Sequence, residues 1–261
     1  MNTYIFFIVM SLSGFIQCRK QPLVHGGFKV TIEEYPHVMA LHVMCNELST
    51  HKKKMYICGA SILTTKLALT AAHCINLCNF TSSIYSVTAG SNTLREGFKS
   101  TIKGLYIHKK YGKRDMGYDI SLLRLKTEMK FSDKMKPVII TAYPPYNETA
   151  LLAAWGSIQL KHETERPKYL FAIYQDVLSE FKCNKFMGGR LTPRYFCGDS
   201  NFEETYVTKG DSGSALVVRD NIQIGICSFG IPSVRKSMEV YTKVTYFKKW
   251  IKKHARMLSR L

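Results

Sequence analysis

Three short stretches of the chain carry residues suited to nucleophilic chemistry. Ser212 lies in VTKGDSGSALVV (Val207 to Val218), between two glycines and directly after Asp211. A chance Gly-Asp-Ser-Gly in a chain of this length has a probability of roughly half a per cent, which is suggestive but not sufficient. A serine hydroxyl is a poor nucleophile near neutral pH and needs a base to take its proton. That base needs a carboxylate to hold its tautomer and to stabilise the imidazolium that forms. His73, in LTAAHCI, and Asp119, in YDISLLRL, are of the required types. Taken singly, a histidine beside a cysteine is more often a packing residue, and an aspartate ahead of a strand more often a turn residue. The ordered set His, Asp, Ser is far more specific.

Something must position these three side chains. The chain has 261 residues, enough for one large or two small packed units. Short β-branched and aromatic runs such as SILTTKLALT and IQIGICSF alternate with turn signals, which favours an all-β barrel or sandwich. There is no low-complexity tract, heptad run or fixed-period repeat. Near the end, Val244, Phe247, Trp250 and Ile251 fall at helical spacing with lysines on the other face, the pattern of an amphipathic helix.

The N-terminus reads differently. YIFFIVMSLSGFI (Tyr4 to Ile16) is apolar and uncharged, too short to span a bilayer comfortably. It is expected to be the core of a signal peptide over residues 1–18, cleaved near Cys18. A buried N-terminal strand is the alternative, since MNT has no basic residue. Export makes disulfides an expectation. Of eight cysteines, Cys18 leaves with the signal peptide or a short pro-segment, so seven remain and one thiol is free or intermolecular. Asn79-Phe-Thr81 and Asn147-Glu-Thr149 are glycosylation sequons. The formal net charge is +18, with lysines clustered at His51 to Lys54, His108 to Arg114 and Phe247 to Arg256. Such a surface attracts sulfated polyanions; it is also what the solvated surface of a basic secreted protein looks like. No nucleic-acid motif accompanies the charge, no later segment reads as a membrane helix, and neither a CxxC pair nor HExxH is present. No cofactor or metal is expected.

LTAAHC, DISLLRL and GDSG, in this order and roughly this spacing, resemble the chymotrypsin/trypsin family of serine proteases. VHGG (Val24 to Gly27), CGASILTTKLALTAAHC, AWGS (Ala154 to Ser157), CSFG (Cys227 to Gly230) and VYTKVTYFKKWIKK are similar to further landmarks of that family. The resemblance runs from about Val24 to His254. It implies an all-β fold of two antiparallel six-stranded barrels with the site between them and a C-terminal helix. The expected boundaries are a pro-segment at 19–23 and a protease domain at 24–258. Within it the first barrel covers about 24–137, the second about 138–240 and the helix about 242–257.

The resemblance also implies roles. His73 is the base, Asp119 its orienter and Ser212 the nucleophile, with an oxyanion hole from the backbone N–H groups of Gly210 and Ser212. Asp211 pairs with the α-amino group of Val24 once the zymogen is cut. Because Leu23 directly precedes Val24, the activating cleavage is expected between them. Cys58–Cys74 and Cys183–Cys197 resemble family bridges, and Cys45–Cys78 would join neighbouring loops, leaving Cys227 as the odd thiol. The bridge that usually flanks the specificity pocket is missing, with Thr208 at its first position. Tyr206 is placed at the base of the primary pocket beside Val207, Gly230 along one wall and Glu239 on the far wall. Ser228 and Phe229 would face an extended substrate, and Lys209 is also assigned to substrate binding. Glu239 could select Lys or Arg, with Tyr206 shortening the pocket and hydrogen-bonding it, unless Tyr206 or Arg235 neutralises it; an apolar preference stays open. The implied partners are polypeptide substrates, serpin-type or other protein inhibitors and sulfated polyanions, around a secreted monomer. The alternative to a working peptidase is a weak or inactive homologue acting as a polyanion- or protein-binding effector.

Overall fold

The computed structural model describes residues 26–46, 53–78, 83–112, 117–141, 148–160, 163–165, 167–200, 202 and 204–260. The signal peptide, the pro-segment, Cys18, Val24, Asn79 and Asn147 lie outside the described residues.

The first half folds as a closed barrel. Its strands are β2 (Val38–Asn46), β3 (Lys53–Ile62), β4 (Leu67–Thr70), β5 (Ser83–Ala89), β6 (Phe98–Ile107) and β7 (Ser121–Leu125), in the order β2-β3-β4-β7-β6-β5. Every pairing is antiparallel. Met39, Leu41, Val43, Ile62, Leu67, Leu69, Val87 and Leu122 fill the interior with no solvent exposure. Burying one such side chain contributes about 1.5–3 kcal/mol relative to leaving it in water. Strand β3 shows where the barrel meets its neighbour: Lys53 to Tyr56 are exposed and Ile57 to Ile62 are buried.

The second half also closes. Its ring is β9 (Thr149–Ala154), β12 (Phe171–Val177), β13 (Tyr195–Asp199), β16 (Arg235–Lys243), β15 (Ile222–Ile231) and β14 (Ala215–Val218), with β9 pairing both β12 and β14. Closure leaves these strands without a free sheet edge. Outside the ring, β1 (Phe28–Lys29) pairs β12, tying the N-terminal segment to the second barrel, and β8 (Ile139–Ile140) lies parallel to β15. A small hairpin is formed by β10 (Ile158–Leu160) and β11 (Glu163–Glu165). The two barrels and the C-terminal helix are the architecture expected from the sequence.

Among the described residues three helices complete the fold: α1 (Ala72–Ile75), α2 (Glu180–Phe186) and α3 (Val244–Arg260). Helix α3 begins two residues after the expected start and runs to Arg260. The delay has a cause: Thr242 still pairs with Tyr195 and Ile226, and Lys243 with Gly225. Val244, Phe247, Ile251 and Leu258 then turn inward and join the core of the first barrel, so the C-terminus clamps the two halves together.

Disulfides join Cys45 to Cys78, Cys58 to Cys74 and Cys183 to Cys197, as expected. Cys227 is a free, buried thiol on β15. Among the described residues no helix is long and apolar enough to cross a membrane.

Candidate active site

His73 and Asp119 come together at the seam between the barrels. His73 sits on the single turn α1, directly after β4, and Cys74 ties that turn to β3 through its disulfide. The Asp119 carboxylate grips His73 twice: Oδ1 accepts from the His73 backbone N–H at 2.8 Å, and Oδ2 lies 2.8 Å from Nδ1. Ser228 Oγ donates a further hydrogen bond to Oδ2, and Thr242 Oγ1 donates to the Asp119 carbonyl at 3.0 Å. Asp119 is almost fully buried, whereas the His73 side chain keeps 22% of its surface exposed. The carboxylate is therefore fixed from the second barrel and the imidazole opens toward solvent. An acceptor on Nδ1 selects the tautomer that leaves Nε2 free to take a proton.

Ser212 lies on the turn leading into β14. Asp211 N–H donates to the Thr208 carbonyl at 3.1 Å and Ser214 N–H to the Asp211 carbonyl at 3.0 Å, which coils the segment tightly. Gly210 and Gly213 have φ of 109° and 83°, a region L-residues rarely enter. A Cβ at Gly213 would also strike Thr70 Oγ1 and the Gly59 carbonyl. The first barrel reaches this turn directly, since Gly59 N–H donates to the Ser212 carbonyl at 2.7 Å. The hydroxyl of Ser212 makes no hydrogen bond to His73. Such contacts are commonly long in a free site and tighten when substrate binds.

The Lys209 carbonyl accepts from Ser157 N–H at 2.8 Å. In a trans peptide the C=O and the following N–H point opposite ways, so Gly210 N–H faces away from Ser157. Among the described residues neither Gly210 N–H nor Ser212 N–H has an acceptor. Both donors are thus left without a backbone acceptor within the described part of the protein. Asp211 beneath them is fully buried. Its Oδ2 accepts from Thr208 N–H at 2.8 Å and from Thr208 Oγ1 at 3.1 Å. Gly156 packs so closely that any Cβ there would collide with both carboxylate oxygens.

A cavity of about 810 Å³ opens next to Ser212, and every residue assigned to substrate binding lines it: Tyr206, Val207, Lys209, Ser228, Phe229, Gly230 and Glu239. Glu239 is buried, opposite Gly230 in the β15–β16 ladder. Burial raises its carboxyl to about 8; a hydrogen bond from Cys227 opposes this, and the Asp211 charge adds to it. That bond runs from Cys227 Sγ to Oε1 at 3.6 Å. Burial, with the Glu239 charge second, pushes the Cys227 thiol well above its ordinary value. One expectation is corrected and one alternative is set aside. Glu239 takes its hydrogen bond from Cys227 rather than Tyr206: Cys227 pairs with Tyr241, two residues along β16, and its thiol reaches the carboxyl diagonally across the ladder. Arg235 does not neutralise Glu239, since its guanidinium is held by Asp199 at 3.3 Å and by Ser237 Oγ at 2.8 Å.

The trypsin family model matches residues 24–251. The chain belongs to the trypsin family. It is 27% identical over 236 residues to hypodermin-B of Hypoderma lineatum, covering 88% of this chain and 87% of that protein. It is 28% identical over 239 residues to a trypsin of Sarcophaga bullata, covering 89% of each. Among solved structures, the scabies mite inactivated protease paralogue S-D1 superposes with a TM-score of 0.74 at 23% identity. The match spans 89% of this chain and 97% of that one, a likeness of fold.

For this trypsin-family chain, sequence reasoning placed Ser228 only as a backbone contact for substrate and gave Thr208 no role. The structure gives each a side-chain partner, Asp119 for Ser228 and Asp211 for Thr208. The first link joins residues 109 positions apart and left no local signal. The second, three residues apart, had one: a hydroxyl at the position where the resemblance implies the first cysteine of the bridge that usually flanks the pocket. Cys58, His73 and Cys74 bring ligand-type atoms within 4.8 Å of one another, but both sulfurs belong to a disulfide and are not free to bind a metal.

Proposed function

We propose that the chain is a secreted serine endopeptidase, made with a signal peptide and a pro-segment and hydrolysing peptide bonds through an acyl-enzyme. The observation that carries this reading is the Asp119 carboxylate holding both the backbone and the ring of His73, whose neighbour Cys74 places its Sγ 3.5 Å from the carbonyl of Ser212 at the cavity wall.

In this account Ser212 Oγ attacks the substrate carbonyl carbon while His73 Nε2 takes its proton. Asp119 keeps the other ring N–H engaged and stabilises the imidazolium. The N–H groups of Gly210 and Ser212 receive the developing oxyanion; one such donor is typically worth about 3–4 kcal/mol. His73 then protonates the leaving amine, and water releases the acyl group by the same route in reverse. The substrate chain adds as a strand along Ser228 to Gly230. Its side chain before the scissile bond enters the cavity above Tyr206 and Val207. With Glu239 largely protonated near neutral pH, the pocket accepts aromatic and basic side chains, the basic ones increasingly as pH rises. Cleavage between Leu23 and Val24 frees the amine that pairs with Asp211. Asn79 and Asn147 are glycan acceptors.

The test is hydrolysis of a fluorogenic peptide library by protein whose N-terminus has been sequenced as Val24. Turnover that disappears in Ser212→Ala supports the reading. Absence of turnover across the library favours the other one, an inactive homologue acting by binding, for which the unmade Ser212–His73 hydrogen bond speaks. Gln21 as the first residue of active protein would sink the proposed activation site.

A further inference from the structure

Helix α3 carries a charge arrangement that the peptidase reading does not use. Its sequence VTYFKKWIKKHARMLSR has no acidic residue. At 3.6 residues per turn, Lys248, Lys249, Lys252, Lys253, Arg256 and Arg260 fall within an arc of about 140°, along a length of about 18 Å. The opposite side holds Val244, Phe247, Ile251 and Leu258, all buried. Elsewhere some cations have acidic partners: Lys66 with Glu128, Lys134 with Glu33, Lys136 with Asp133, Arg219 with Glu148 and Arg235 with Asp199. Among the described residues none of the six on α3 has one. Rows of like charge at i, i+4 repel one another, so the stripe gains from a ligand that brings a matching row of anions.

The surface along the stripe is not flat. A depression of about 570 Å³ has Leu63, Ile140, Ile251 and Ala255 among its walls, with Lys252, Arg256 and Arg260 at its edge. A second, of about 360 Å³, is lined by Lys249, Lys253 and the same three cations. Lys252, Arg256 and Arg260 therefore form a ridge between two hollows, one of them partly apolar.

We infer that α3 is a binding site for a linear sulfated polysaccharide. Its anionic groups pair with the ridge and the flanking lysines, and its pyranose rings lie over Leu63 and Ile140. Guanidinium groups meet sulfate and carboxylate oxygens through paired hydrogen bonds, and the C–H faces of sugar rings suit an apolar wall. Two other anionic partners fit less well. Within the cationic arc there is no aromatic side chain on which bases could stack, and the single exposed ring at its border, Tyr246, offers no row of stacking platforms. The helix spends its apolar side on the protein core, so it has no face to insert into a bilayer. No residue of the ridge lines the cavity beside Ser212. Binding therefore leaves hydrolysis of small peptides unchanged and serves to localise the protein.

Heparin is the probe, applied to the full chain. Lys252→Gln/Arg256→Gln/Arg260→Gln is compared with Lys126→Gln/Lys130→Gln/Lys182→Gln, which removes the same charge from exposed sites elsewhere. Wild type and the second triple variant should elute from immobilised heparin together, well above physiological salt. The α3 variant should elute much earlier, with the slope of log K against log salt reduced by about two to three. Equal shifts for the two triple variants, or no retention of wild type at physiological salt, would overturn the inference. Tighter binding of duplex DNA or phosphatidylserine vesicles, lost in the same variant, would overturn it in favour of that partner. A second measurement needs no variant: bound heparin should protect Lys248, Lys249, Lys252 and Lys253 from acetylation while Lys126 and Lys130 react freely. Uniform protection would contradict the assignment.

Discussion

Substituting Glu239 by glutamine tests how the pocket reads its substrate. Glu239 is buried beside Cys227 in the wall of the cavity, with its carboxyl raised to about 8. At pH 7 about a tenth of the molecules carry it ionised. A lysine or arginine side chain entering the pocket needs the ionised form, so binding it at pH 7 includes a deprotonation costing about 1.4 kcal/mol, a factor of roughly ten. An aromatic side chain carries no such requirement. The assay is the ratio of kcat/KM for two peptides that differ only in lysine or phenylalanine before the scissile bond, from pH 6 to 10. Any pH effect on the bond-breaking step common to both peptides cancels in the ratio. The ratio should rise about tenfold between pH 7 and 9 and then level off. In Glu239→Gln it should be low and flat. A flat ratio in the wild type, together with unchanged lysine cleavage in Glu239→Gln, would refute the reasoning. Stability gives an independent readout. The folded state holds this proton up to about 8 while the unfolded chain releases it near 4.5. Between those values the folded state binds more protons, so stability falls as pH rises, by a few kcal/mol in all. Glu239→Gln should remove that slope in denaturant titrations.

Four further outcomes follow. Asp119→Asn should lower kcat by about 10⁴-fold with KM little changed, because the ring would lose its tautomer control; steady-state kinetics reads it. Ser228→Ala removes one donor to the Asp119 carboxylate, a bond of the type worth about 1.5–3 kcal/mol, so kcat/KM should fall about tenfold or more. Restoration by Ser228→Thr would tie the loss to the hydroxyl. Thr208→Val keeps the backbone bond to Asp211 but deletes the Oγ1 bond, and should destabilise the protein by about 1–3 kcal/mol in urea unfolding. Phe247→Ala should be destabilising by about 3–5 kcal/mol, since this ring anchors α3 to the first barrel.

What was legible in the sequence was what is local. His73 sits between a strand and a bonded cysteine, Asp119 precedes a strand, and Ser212 lies in a turn spelled by its glycines; each context is a few residues long. The amphipathic run of α3 belongs to the same category, whereas the three disulfides, which join residues 14 to 33 positions apart, were read from the family resemblance. What was not legible depends on closure of the barrels. Ser61 Oγ donates to Gln223 across 162 residues, and Ser228 meets Asp119 across 109; neither has a sequence signature. The start of α3 was misplaced because pairing with β13 and β15 holds Thr242 and Lys243 extended against a helical pattern. The partner of Glu239 was misassigned for the same kind of reason. Family position suggested Tyr206, but Gly230 stands directly opposite Glu239 in the ladder and the bonded side chain is the diagonal neighbour, Cys227.

The central claim is that Ser212 is an activated nucleophile. Its most direct test is labelling with a fluorophosphonate, followed by peptide mapping, on protein whose first residue is Val24. The account predicts one equivalent of label on Ser212, absent when the protein is denatured before the reagent is added and absent in His73→Ala. Matured, folded protein that leaves Ser212 unlabelled would contradict it.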